Sequence, residues 1–332
     1  MKTVKKISVL LFLAACLVNT SECSDKKNSQ NEETKKKQED PKSDGKQTET
    51  KSTQEEIKAI ISELEEISKN NNAHLLAKIA SKIKRLSSND KATLLILCLA
   101  KLKTSDITTK IISYLITNDA APSQANDIFK VLKYSLFQLE NSKYSTKDEE
   151  PIYKLLMQKA IHKDNIADVF KKALQDQTNH MQLLIYCLAN SRLATESDVM
   201  GKIVAYVTAS DSETQLKALS ILYDTNPELF DAIISNKNFS LSGDNHLTQL
   251  LTTVCVGRPK SPNVPEGTPS LVIASKLARK YELNTQGDSD SIGDIILECN
   301  KKNKTETNKE IKEMRSNVLL LLDSIINDLF KK

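Results

Sequence analysis

From about residue 53 onward, apolar side chains recur three and four positions apart, the spacing that lines up one face of an α-helix. Ile57, Ile60, Ile61, Leu64 and Ile67 share such a face, with Glu55, Glu56, Glu63 and Glu65 mostly off it. A second run brings Leu75, Leu76, Ile79, Ile83 and Leu86 together. Later starts are punctuated. Asn226-Pro227-Glu228 and Thr268-Pro269 each place a capping side chain before a proline suited to the first helical turn. Read this way, the chain predicts about fourteen helices with short connections. The last runs from Ile311, with Met314, Val318, Leu321, Leu322, Ile325 and Leu329 on a wide apolar face. It is expected to close the end of the helical stack, and Asp323 and Asn327 argue against membrane insertion.

Part of this pattern occurs twice. Residues 94–100 read LLILCLA and residues 183–189 read LLIYCLA, six identities in seven. Further on, 106–119 aligns with 198–211 at five of fourteen positions, and most differences exchange similar side chains, such as Ile112 for Val204. Each copy reads as a helical hairpin: an apolar helix, a turn ending in an N-capping Asp, and an amphipathic helix. Fainter copies run from Leu155-Leu156 through Ile166, Val169 and Phe170, and from Leu250 to Cys255 with Leu271 to Leu277 as second helix. The expected fold class is all-α, with tandem helical hairpins forming an α-solenoid or an irregular helical bundle. In architecture, residues 70–280 resemble the HEAT and armadillo class of helical repeats, which implies a long groove for a macromolecular partner.

The N-terminus departs from this pattern. Residues 1–6 carry three lysines, 7–18 are apolar apart from Ser8, and a short polar exit follows. That is the layout of a secretory signal, and twelve residues are too few to span a bilayer. Leu13-Ala14-Ala15-Cys16 resembles the lipobox of bacterial lipoproteins, which implies acylation of Cys16 and a membrane anchor. Leu17 and Val18 extend the apolar run past the cysteine, so cleavage after Ser21-Glu22-Cys23 and plain secretion stand as the alternative. Residues 24–52 contain no hydrophobic side chain and predict a disordered spacer. The expected organisation is a signal peptide over 1–15 (to 23 without lipidation), a polar tether over 16–52 and a helical body over 53–332. The chain is expected to be exported and anchored to a cell or outer membrane, or else secreted.

Composition sharpens the fold and narrows the chemistry. Seven glycines occur in 332 residues, and none lies between Lys46 and Met200. Strand-and-turn folds and phosphate-cradling loops need glycine wherever φ is positive, so that stretch is built from helices. With 47 basic and 43 acidic residues mixed along the chain, no basic face for nucleic acid is marked out.

No motif for catalysis is present: there is no G-x-S-x-G, no Walker loop and no paired-histidine helix. His74, His162, His180 and His246 do not fall at metal-ligand spacing. His180 and His246 each follow an Asn at an expected helix start. Asp288-Ser289-Asp290-Ser291-Ile292-Gly293-Asp294 lacks the fifth- and twelfth-position ligands of a calcium loop and reads as a solvated loop with a helix cap. Cys98, Cys187 and Cys255 occupy equivalent repeat positions and read as core thiols, with a structural disulfide as the alternative. The 257–267 loop, bracketed by Gly257 and Gly267, reads as a recognition element or a slack insertion. No cofactor, metal or catalytic residue is expected, and Cys16 is the one candidate modification site. The expected function is binding of a protein partner at a membrane surface. An all-helical enzyme whose site assembles only in the fold and a structural envelope protein are the competing classes.

Overall fold

The computed structural model describes residues 45–70, 75–102, 106–140, 152–178, 181–241, 244–260, 264–281 and 288–329. The signal segment, the Cys16 box and the tether up to residue 44 lie outside them. Contacts divide the chain into Met1–Glu49 and Thr50–Lys332, and the second unit is the helical body. Among the described residues there is no strand, and fifteen α-helices follow one another: α1 Gly45–Asn70, α2 Leu76–Ile83, α3 Ser88–Lys101, α4 Asp106–Leu115 (continued by a π turn, Ile116–Ala120), α5 Ala125–Glu140, α6 Ile152–Ala160, α7 Ile166–Gln175, α8 Met181–Ala189, α9 Ser197–Thr208, α10 Ser212–Thr225, α11 Pro227–Ile234, α12 Asp244–Val256, α13 Leu271–Lys280, α14 Asp288–Thr305 and α15 Lys309–Leu329. The all-α class is therefore as expected.

Helix α1 begins at Gly45, eight residues before the expected body. Between Lys46 and Asn70 no glycine or proline interrupts the chain, so polar turns extend a helix whose Ile57, Ile60, Ile61, Leu64 and Ile67 are all buried. Capping follows the local chemistry. The Ser87 hydroxyl accepts from the Asp90 N–H at 3.2 Å ahead of α3, Asp211 accepts from Thr214 N–H at 2.8 Å ahead of α10, and Asn226 accepts from Leu229 N–H at 3.0 Å, with Pro227 in the first turn of α11. Three expectations are corrected. The cap of α13 is Ser270, accepting from Ile273 N–H at 3.3 Å, and Pro269 stands before it. Helix α9 starts from Glu196, so Asp198 sits in the first turn, where its charge favours the helix N-terminus, and does not cap. Leu75 is 46% exposed, because α2 begins one residue later and turns it outward.

Substantial packing joins helices at most three apart in order. One row runs α3, α5, α7, α8, α10, α12, α14; the other holds α2, α4 and α6, then α9 and α11, then α13 and α15. This is stacking of neighbours, each hairpin covering the apolar face of the last. The duplicated segments are α3 with α4 and α8 with α9, and their burial matches at most core positions, although Cys98 is buried and Cys187 only half-buried. Leu95 and Leu184, Leu99 and Leu188, Ile111 and Ile203, and Leu115 and Val207 are buried pair by pair. In both copies the first helix packs on the helix two further along the chain, and so does the second.

A recurring joint locks the stack in its second half. A cation from a later helix meets the C-terminal carbonyls of an earlier one, where the helix dipole leaves negative charge. Lys217 of α10 donates to the carbonyls of Ala173 at 3.3 Å and Leu174 at 3.2 Å, and to that of Asp176, at the end of α7. Lys280 of α13 reaches the Ile234 carbonyl of α11. Arg315 of α15, 1% exposed, donates from Nε to the Val256 carbonyl of α12 at 3.0 Å and from Nη1 to Asn303 at 3.1 Å. Helix α15 closes the stack as expected, packing on α12, α13 and α14 with Val318 and Leu322 buried.

Candidate functional site

Each helix of the row α8, α10, α12 must bury one side and present the other. The presented sides are polar, and together with the end of α7 and the 257–260 segment they form an open groove of about 930 Å³. Four amides line its walls: Gln175 and Gln177 at the end of α7, Gln182 on α8 and Gln249 on α12. From α10 come Glu213, Lys217 and Ser220, and Tyr206 of α9 closes one side. A shallower depression of about 390 Å³, lined by Ser220, Thr248 and Thr252 among others, continues it between α10 and α12.

Arg258 lines the groove and is held from several directions. Its N–H donates to the Tyr223 hydroxyl at 2.9 Å, and Nη2 donates to Asp224 at 3.2 Å and to the Pro265 carbonyl at 3.1 Å. The guanidinium carbon lies 5.7 Å from the centre of the Tyr186 ring on α8, within cation–π range. The residue is 8% exposed, and its Nε and Nη1 have no hydrogen-bond partner. Burial pushes the Asp224 carboxyl up, against the pull of Arg258. Burial, reinforced by Asp224, pushes the Tyr223 phenol up as well.

Two glycines make this approach possible. Gly257 has φ +96°, a conformation open to glycine, and turns the chain out of α12. Gly267 returns it, its N–H donating to the Arg258 carbonyl at 2.9 Å. A Cβ on Gly267 would fall 2.8 Å from Arg258 Cβ and 2.8 Å from Asp224 Oδ2. The loop is thus fastened at its base to α10, neither slack nor free, while residues 261–263 at its tip lie outside the described residues.

Lys217 and Asp211, also in the lining, are engaged. Lys217 points at the α7 carbonyls, and burial lowers its pKa despite Asp176 and Glu213 nearby. Burial would raise Asp176, yet hydrogen bonds from Lys133 and Thr178 hold its carboxyl below the ordinary range. Asp211 is spent on capping α10, and Lys260 is exposed at the rim. Beside the groove, a second hollow of about 420 Å³ is lined by Met157, Ile161, Tyr186 and Leu193, with Cys187 at its edge.

The remaining candidates separate. Cys16, His74 and His180 lie outside the described residues; His162 is exposed and His246 half-buried in the first turn of α12. Residues 288–294 are helical and open α14, so the expected loop there is corrected: Ser, Asp and Ile continue a helix that Gly293 does not break. Among the described residues no group of three or more His, Cys, Asp or Glu could hold a metal ion. Cys98, Cys187, Cys255 and Cys299 are free thiols. No described helix is long and apolar enough to cross a membrane.

Sequence reasoning missed the Arg258–Tyr186 pair. Its signal was visible: the single mismatch between the two heptapeptide copies is Leu97 against Tyr186, and it is this tyrosine that faces the arginine. Comparison of the chain with protein-family models, with curated proteins and with solved structures finds no match to any of them.

Proposed function

We propose that this protein is an exported, membrane-tethered binding module. The signal-like N-terminus with Cys16 in a lipobox-like setting supplies the anchor, and residues 16–44 supply the spacer. The groove across α8, α10 and α12 supplies the binding surface. The observation that carries this reading is the groove itself. It is open, it runs across neighbouring helices of one row, and its walls carry side chains that both donate and accept hydrogen bonds. Such a surface suits a chain laid along it better than a small molecule enclosed in a pocket, which would be mostly apolar. The reading assigns the body to recognition rather than catalysis: of the groove's acids, Asp211 is committed to capping α10 and the exposed Glu213 acts on Lys217 only through its charge.

Filling the groove tests it. Ser220→Trp and Thr253→Arg each place bulk on half-buried positions of the groove without touching a core contact. Wild-type protein isolated from its own cells after mild crosslinking should carry a macromolecular adduct that both variants lose, with unchanged thermal melts. Equal adducts from wild type and both variants would overturn the groove as the binding surface.

A further inference from the structure

From the charges left uncommitted in this groove, and resting on the binding reading above, we infer that its occupant is an extended peptide segment anchored by a carboxylate at Arg258. The side chain of Arg258 is nine-tenths buried, yet Nε and Nη1 have no partner. Burying unpaired guanidinium donors is costly, and a ligand oxygen accepting from them removes that cost. The guanidinium is already oriented by Asp224 on one edge and Tyr186 across its face, so little side-chain freedom is lost when a carboxylate arrives.

The surrounding charges favour an anion at this point. Asp211 accepts from the Thr214 N–H and hydroxyl, and Glu213 lies within electrostatic range of Lys217. Lys217 is turned toward the α7 carbonyls. Arg258, buried in the lining, and the exposed Lys260, two residues apart on one segment, are therefore the remaining cations of the groove. Asp224, the partner of Arg258, has its carboxyl pushed up by burial against the pull of the guanidinium.

The rest of the wall fits a peptide backbone. Gln175, Gln177, Gln182 and Gln249 each offer a donor and an acceptor, matching the alternating N–H and C=O of an extended chain. Crossing three helices spaced about 8–10 Å apart takes about 16–20 Å, which an extended chain covers in about six residues. A nucleic acid fits worse. The cations are two, and among the residues lining the groove Tyr206 alone offers an aromatic face, from the far side and already shared with Lys171 at 5.2 Å.

The test uses fluorescein-labelled hexapeptide pools, amidated at the C-terminus, with one position fixed as Glu, Lys or Ala and the others randomised. An Ala-fixed pool with a free C-terminus tells a terminal carboxylate from a side-chain one, and a single-stranded hexanucleotide pool is the competing polyanion. Binding is read by fluorescence anisotropy on the full-length protein. A Glu-fixed pool or the free-C-terminus pool should bind most tightly. Arg258→Ala should weaken that binding about tenfold to a hundredfold, and Arg258→Lys should restore only part of it. Because Arg258 also fastens the loop, Lys260→Glu serves as the second variant: it is exposed, should leave the thermal melt unchanged and should weaken acidic pools several-fold. Equal binding of the Glu-, Lys- and Ala-fixed pools and of the free-C-terminus pool would overturn the carboxylate anchor while leaving a peptide groove in place. Preference for the hexanucleotide pool, or no peptide binding at all, would overturn the inference; the binding reading is judged separately by the cell-derived adducts.

Discussion

Replacing Arg315 by Met tests the joint that closes the helical stack. Methionine keeps most of the stem that fills this site, where the arginine is 1% exposed, and removes the guanidinium. Lost with it are the bond to the Val256 carbonyl at 3.0 Å, the bond to Asn303 at 3.1 Å and the longer pairing with Glu306 at 3.6 Å. Hydrogen bonds to a charged group contribute about 1.5–3 kcal/mol each. Desolvation of the buried guanidinium offsets part of this, so a net loss of about 2–3 kcal/mol is expected. For a body of this size each kcal/mol moves Tm by about 2–4 °C, which places the variant's melt about 4–12 °C lower. The effect should also be local. Packing joins near neighbours in chain order, so hydrogen exchange should quicken at the end of α12 and through α14 and α15 while α2 to α5 keep their protection. A melt within about 0.5 kcal/mol of wild type, or faster exchange spread evenly over all helices, would refute the idea that Arg315 is the terminal lock.

Three further outcomes follow from the same geometry. Burial pushes the Cys98 thiol up to about 12 and the Cys187 and Cys299 thiols up to about 11, and raises Cys255 as well. At pH 8 about one Cys187 or Cys299 in a thousand is a thiolate, so an aromatic disulfide reagent should leave the body unlabelled until denaturant is added; rapid native labelling of all four would contradict the packing. Asp176 has a folded pKa held below its ordinary 3.8, so its carboxylate adds stability above that value and the increment disappears as pH falls through the folded one. Asp176→Asn should lower stability at pH 6 and flatten its decline below pH 4; an unchanged pH profile would show that the Lys133 and Thr178 contacts contribute nothing. Finally, intact mass of the mature protein from its own cells should show a diacyl or triacyl adduct on a chain beginning at Cys16, whereas an unmodified chain beginning near Ser24 would remove the lipid anchor and leave a secreted binder.

What was legible in the sequence was local. Apolar spacing located the buried face of α1 residue by residue, because a helix on a core repeats its environment every turn. The copied heptapeptide located equivalent core positions in α3 and α8. Asn226-Pro227 marked a cap because its partner, the Leu229 N–H, is three residues away. Thr268-Pro269 misled for the same reason: Ser270, one residue on, offers an equally good cap nearer the helix. The groove was not legible. Arg258 meets Tyr186, Tyr223 and Asp224 across separations no period reports, and Lys217 reaches α7 from more than 40 residues away. The reason for Gly267 is contact as well, since the backbone there runs against Arg258 and Asp224.

The measurement that bears most directly on this account is photo-crosslinking in intact cells. A photoreactive side chain replaces Gln249 in the groove in one protein, and Lys202 or Glu228, exposed on the opposite row, in controls. The account predicts a discrete adduct from position 249, absent from positions 202 and 228 and lost on adding Arg258→Ala. Adducts of equal yield from all three positions, or from 202 and 228 alone, would contradict a binding role for the groove.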